Sequence, residues 1–350
     1  MCSTISLGSG DHSLLAQNYD FNLHHGLVAV NLRGTVKENG RQPGEKAVRW
    51  RVKHGSVTFN QYSLELPVSG MNEAGLALAM MWHDEGGDGN GRDEYARMSA
   101  LQWIQYQLDI SRDVNSVLSS LETLRPKQDF IPLHYTALDA AGNTLLVEFV
   151  NGEAKVYKNP YPPVLTNSSY KTSVELARRD PGTEQLQSNA SVSRFKRLFD
   201  LRIAYNDYEA DVTRGFECLE SVRQGPEGEE LFPWDGGDRN QTITAWSIVF
   251  CPGARTIHFK TFENKTVRWI CMNDIDFSES SSYLTMNVNE YGSGDVTGNF
   301  VPYSIQQNRA IVERTAGAME MPSADQEGLV AIVDALYRSR KMQMVWDIEQ

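Results

Sequence analysis

A cysteine directly after the initiator methionine is the first residue of this chain with chemistry to offer. If Met1 is removed, a step that a small second residue permits, Cys2 carries a thiol beside its own α-amine. In isolation the two groups titrate at about 8.5 and about 8. A neutral amine this close to its own sulfur can take the thiol proton, directly or through one water. Nucleophile and general base then belong to a single amino acid, and no histidine is required. The alternative reading of Cys2 is a small buried hydrophobe, the common fate of a free cysteine. With Met1 retained the amine is blocked, and the chain reads as a non-catalytic binding protein.

Other polar and aromatic residues could complete such a site. Asp20 ends "QNYD", Asn167 follows "PPVLT", Arg194 lies in "SVSRF", and Trp82 closes "GLALAMMW". Taken singly, Asp20 and Asn167 suit turns, Arg194 a surface ion pair, and Trp82 the core. Phe21, Met80 and Tyr135 offer aromatic and thioether surface for an apolar acyl group, or belong to the core. His24 and His25 are adjacent, so on a strand they point to opposite faces and are not expected to hold one ion. No metal or cofactor is assigned. The four cysteines lack CxxC spacing, and Cys218, Cys251 and Cys271 read as buried thiols. None of the seven histidines sits in a recognisable cysteine-protease context.

These residues need elements to position them. "SLLAQNYDF" and "GLVAVNL" are β-favouring runs joined by a polar link at His24 and His25. "GSVTFNQYSLELPVSG" and "GLALAMMW" follow, with Gly75 suited to the turn between paired strands. Leu101, Ile104 and Leu108 recur at helical steps, and Asp113 is placed to cap a second helix carrying Val114, Val117, Leu118 and Leu121. "LHYTALDAAGNTLLVEFVNGEAKVY" reads as a three-stranded meander. "SVSRFKRLFDLRIAY" reads as a helix with Phe195, Leu198, Leu201 and Ile203 on its apolar stripe. Acidic "QGPEGEELFPWDGGDRNQ" is expected to be an exposed loop. Three strands follow, in "TITAWSIVFCPGARTIHFKTF" and "KTVRWICM". The tail from Ser278 is polar, with one amphipathic helix expected near Leu329, Ile332 and Leu336. No linker or repeat divides residues 1–350, which are expected to form one α+β domain.

Composition narrows the class. Of 350 residues, 33 are Lys or Arg and 45 are Asp or Glu, giving a formal net charge of -12. Without a basic run, a nucleic-acid partner is not expected. No apolar stretch is long enough to span a membrane, so no membrane partner is expected either. No secretory signal is read at the start, which points to the cytoplasm, or to the periplasm if a leader has been removed.

In this order, "MC", "QNYDF", "GMNEAGLALAMMW", "VLTNSSY", "SVSRF" and "VRWICMNDIDF" resemble the choloylglycine hydrolase family of N-terminal-nucleophile amidases, which includes bile salt hydrolases and penicillin V acylases. The resemblance covers residues 2–277, leaving 278–350 as a C-terminal extension. It implies a four-layer αββα sandwich of two stacked antiparallel sheets covered by helices. It makes Cys2 the nucleophile, Asp20 the residue holding amine and thiol, and Asn167 a side-chain donor of the oxyanion hole. Arg194 becomes the polarising cation, and the Trp82 backbone N–H the second oxyanion donor.

The implied reaction is hydrolysis of a linear, non-peptide amide C–N bond through an acyl-thioester, on a small acyl-amide such as penicillin V, an N-acyl homoserine lactone or a conjugated bile acid. Acyl transfer to an amine is the alternative. Bile salt hydrolases usually carry arginine where this chain has Gln17, so that position bears on substrate. Isopenicillin N acyltransferases share the Gln-Asn-aromatic-Asp pattern. The short interval from Asn167 to Arg194 lacks the insert that clasps subunits in Gram-positive bile salt hydrolases, and a homo-oligomer is left open. That short form, with Trp82, resembles the Gram-negative penicillin V acylase-like branch, which commonly has Trp at the position of Phe21.

Overall fold

The computed structural model describes residues 2–39, 46–87, 95–128, 132–179, 190–205, 210–225, 242–318 and, within 322–334, all but 324, 325, 329 and 332. Leu14–Phe21 is the spine of a seven-stranded sheet, paired with Cys2–Leu7 on one side and Ile243–Cys251 on the other. Val164–Leu165 lies beyond Cys2–Leu7. Thr256–Thr261, Arg268–Cys271 and Gly294–Asp295 continue past Ile243–Cys251, and only the last pairing is parallel.

A second sheet has nine strands, all antiparallel. From one edge to the other they are Glu153–Lys158, Thr144–Val150, Leu133–Leu138, Ala77–Trp82, Pro67–Asn72, Ser56–Asn60, Leu27–Asn31, Leu284–Asn287 and Val301–Pro302. Local sequence sets the turns. Gly75 turns the chain between Pro67–Asn72 and Ala77–Trp82 at φ +82, a conformation that costs a Cβ-bearing residue dearly. The Asn151-Gly152 pair has both φ angles positive, as a two-residue hairpin demands.

The sheets stack face to face through an aromatic core. Phe59 of the nine-stranded sheet meets Trp246, Phe250 and Phe259 of the other at centroid distances of 5.4–6.3 Å. Two polar bridges also cross the gap: Thr4 to Thr136 through their hydroxyls, and Gln17 Nε2 donating to Met80 O. Helices cover both outer faces. Ala100–Ile110, capped by Ser99 Oγ, packs where Gly70 leaves room, since a Cβ there would stand 2.9 Å from Leu108 Cδ1. Val114–Ser120 follows, with Asp113 accepting from Ser116 N. Val212–Glu220 lies on the seven-stranded sheet, its Gly215 close against Val249 and Leu14. Tyr170–Ala177 and Ala190–Ala204 pack together beside Cys2–Leu7. The architecture is an α+β sandwich with helix, sheet, sheet and helix layers.

Several expectations change. Ile203 is 53% exposed, and Arg202 takes its expected place on the buried face of Ala190–Ala204. Cys218 is buried, but Cys251 and Cys271 are only half-buried. The segment after Ser278 is more ordered than its polarity suggests: Leu284–Asn287 pairs directly with Leu27–Asn31. Helix Ile305–Ala318 was not expected, because its buried face mixes Ile311, Val312 and Ala316 with Asn308 and Thr315. Residues 226–241 of the acidic loop, and Leu329, Ile332 and Leu336, lie outside the described residues. Among the described residues no helix is long and apolar enough to cross a membrane.

Candidate active site

Cys2 opens its strand opposite Tyr19 and is 3% exposed, at the floor of a cavity of about 230 Å³. The cavity walls include Phe21, Tyr62, Met80, Trp82 and Leu133. The Cys2 thiol donates to the Asp20 backbone carbonyl at 3.8 Å, and Cys2 N donates to Asn167 Oδ1 at 3.0 Å.

Arg194 ties the first turns of helix Ala190–Ala204 to this strand. Its guanidinium donates to Cys2 O at 2.6 Å, Ser3 Oγ at 2.5 Å and Asn167 Oδ1 at 2.7 Å. Its Nε has no hydrogen-bond partner among the described residues. Asn167 is further fixed by Ser191, whose hydroxyl accepts from the backbone N–H groups of Asn167 and Ser168. The Asn167 side-chain amide donates to Trp82 O at 2.9 Å. Because His83 N donates to Pro132 O, strand alternation turns the Trp82 N–H and C=O away from Leu133–Leu138. The Trp82 N–H therefore faces the same side as the carbonyl that Asn167 holds.

Asp20 is placed by a bulge in the pairing of Leu14–Phe21 with Ile243–Cys251, between Thr244 and Trp246. Its carboxylate accepts from Thr244 Oγ1 at 2.6 Å and Gln224 Nε2 at 3.1 Å. Burial pushes the Asp20 carboxyl up to about 6, although Arg194 and the Thr244 hydroxyl favour the anion. Burial likewise raises the Cys2 thiol, with Asp20 adding to the effect and Arg194 opposing it. Arg194 itself is lowered by burial and supported by Asp20 and Cys2.

Cys2, Asp20, Asn167, Arg194 and Trp82 thus converge, joined by hydrogen bonds or a shared cavity. Phe21 and Met80 line that cavity. Gln17 does not: it is fully buried between the sheets, with Oε1 lacking a partner among the described residues. Tyr135 faces the outer helix, its ring tilted against Trp103 at a centroid distance of 4.6 Å, and donates to Ala100 O. Thr244, Gln224 and Ser191 were missed, since single hydroxyl and amide residues have no spacing signal. Tyr19 and Tyr62 were missed too, although the register that sets Cys2 opposite Tyr19 could have been counted back through the hairpin.

Residues 2–177 match the profile of the linear amide C-N hydrolases, choloylglycine hydrolase family, and the chain belongs to that family. It is a linear amide C–N hydrolase. A penicillin V acylase of Pectobacterium atrosepticum is 20% identical over 308 residues, covering 74% of this chain and 78% of the relative. Among solved structures, a penicillin V acylase from Agrobacterium tumefaciens superposes with a TM-score of 0.70 at 21% identity, over 87% of this chain and 98% of the other. The Cys2→Ala mutant of the conjugated bile acid hydrolase from Clostridium perfringens does so with a TM-score of 0.67 at 18% identity, over 84% and 98%. These structures share the fold.

Proposed function

We propose that this hydrolase cleaves its amide through an acyl-thioester on Cys2, once Met1 has been removed. The observation that carries the reading is the hydrogen-bonded convergence of Asn167 and Arg194 on the backbone of Cys2, with Asp20 alongside. The freed amine takes the thiol proton, and sulfur attacks the substrate carbonyl. The oxyanion that develops is met by the Trp82 N–H and the second amide hydrogen of Asn167. Removing one such donor costs about 3–4 kcal/mol in related chemistry. The amine then protonates the leaving nitrogen, the C–N bond breaks, and water activated by the same amine releases the acid. Arg194 favours thiolate over thiol, and Asp20 orients the ammonium as it forms.

The walls formed by Phe21, Tyr62, Met80, Trp82 and Leu133 suit a compact apolar or aromatic acyl group. Penicillin V is the expected best substrate in a panel that also holds conjugated bile salts and acyl homoserine lactones of graded length. Activity on the bile salts alone overturns this choice of acyl group. Cys2→Ala is expected to keep the fold and lose turnover by at least about 10⁴-fold; full activity in that variant, or an intact mass that retains Met1 in active enzyme, defeats the mechanism. Product analysis with an added amine separates hydrolysis from acyl transfer.

A further inference from the structure

His83, His134 and Glu148 come from three separate stretches of sequence and meet inside the protein, each fully buried. One potential ligand atom from each lies within 4.8 Å of the others. His83 directly follows Trp82. His134 Nε2 lies 2.5 Å from the carbonyl oxygen of Thr166, the residue before Asn167. Glu148 Oε1 accepts from Tyr170 N at 2.7 Å. The cluster therefore sits immediately behind the two residues that face Cys2.

The hydrogen bonding leaves a deficit. A carbonyl oxygen only accepts, so His134 Nε2 must carry a hydrogen. Its Nδ1 then faces Glu148 Oε1 at 3.4 Å, a lone pair opposite a carboxylate unless a cation lies between them. One shared proton would resolve that contact, yet it leaves His83 unexplained. Both ring nitrogens of His83 are buried without a hydrogen-bond partner among the described residues, and Nε2 stands 3.9 Å from the same Glu148 oxygen.

We propose that His83, His134 and Glu148 bind a divalent ion of the zinc class, a structural site that ties the strand end at Trp82 to the segment carrying Asn167. Two imidazoles and a carboxylate are a ligand set such ions prefer. With bonds of about 2 Å, neighbouring ligands on a tetrahedral ion lie about 3.4 Å apart, the separation His134 and Glu148 already have. The His134 bond to Thr166 is the outer support that orients a ligating histidine. The His83 and His134 rings are stacked at 4.4 Å, so His83 must turn out of the stack to bring Nε2 onto the ion.

The test uses the full chain carrying Cys2→Ala, which removes the active-site thiol as a competing ligand, dialysed against Zn²⁺ and separately Co²⁺. With a water as the fourth ligand beside the three side chains, one equivalent of metal per chain is expected, with the visible bands of four-coordinate Co²⁺ and no thiolate charge-transfer band. His83→Phe keeps the ring stack and Glu148→Gln keeps the shape; each is expected to weaken uptake at least about 100-fold while circular dichroism stays unchanged. No uptake by the parent overturns the proposal. So does a thiolate charge-transfer band, which would place the ion on Cys218, Cys251 or Cys271, and so does parent-like binding in either folded variant.

Discussion

Two regions of this protein bury charge, and they treat it differently. Beneath the hairpin formed by Val36–Glu38 and Arg49–Arg51, Lys37 Nζ reaches Glu65 at 2.7 Å and Asp109 at 3.1 Å. Asp109 also accepts from Trp50 Nε1 and Gln105 Nε2. Burial alone would lower the Lys37 ammonium, but Asp109 and Glu65 more than reverse this and hold it above its ordinary range. Around Cys2 the balance runs the other way. Asp20 is pushed up to about 6 and Arg194 down, each by burial that its neighbours only partly offset. In the first cluster Lys37 is held as a cation, although burial raises the Glu65 carboxyl beside it. In the second, Asp20 is raised towards neutral pH, so it is the group there whose charge changes most readily.

Four substitutions would break or sharpen that contrast. Asp109→Ala leaves Lys37 short of a buried partner and is expected to destabilise the fold by about 3–5 kcal/mol; denaturant unfolding measures this, while activity per folded molecule stays at the parent level. Arg194→Lys cannot reach Cys2 O, Ser3 Oγ and Asn167 Oδ1 together, so kcat/KM should fall about 10²–10³-fold. An unchanged rate would demote the arginine to a packing role.

Asp20→Asn separates the two regions most directly. Between about 4 and about 6 the folded carboxyl binds a proton that the unfolded chain has released. Stability therefore falls as pH rises through that window, by roughly 3 kcal/mol at 1.36 kcal/mol per unit, and levels off above it. The amide variant should escape the loss. Its Tm is expected to exceed the parent's at pH 7.5 and to match it near pH 4, while kcat/KM drops. A lower Tm at pH 7.5 would show that the Asp20 anion stabilises the site. The smallest effect is expected from Tyr135→Phe, which deletes one hydrogen bond to Ala100 O: about 1 kcal/mol of stability, with KM unchanged.

Much of the fold was legible because strand alternation, caps and turn glycines are local. Asp113 caps the helix it was expected to cap, and Gly75 makes its turn at positive φ. Helix Ile305–Ala318 was not legible, since Asn308 and Thr315 face inward. Asn308 Oδ1 accepts from Leu64 N, and Thr315 Oγ1 donates to Gln61 O, so these polar residues serve a tertiary contact that periodicity cannot see. At the site, position marked Cys2 only as a candidate, and the family resemblance grouped it with Asp20, Asn167, Arg194 and Trp82, which the fold does bring together around one cavity. Composition suggested apolar walls but could not tell which residues of one sheet face reach the cavity. Met80 and Tyr135 are cross-strand partners on the same face, yet only Met80 lines the cavity, while Tyr135 donates to Ala100 O of the helix layer. His83, His134 and Glu148 were invisible because sheet pairing brings them together, not spacing.

The depth of Cys2 also governs which reagents can find it. Cys251 and Cys271 stand half-buried at the ends of their strands, whereas Cys2 is buried in a cavity lined in part by Tyr19, Phe21, Tyr62 and Trp82. Bulky, ionic maleimides are therefore expected to reach the half-buried pair before Cys2. A slender, oily electrophile fits the cavity better, so covalent inhibitors of this protein should be selected for their shape before their reactivity.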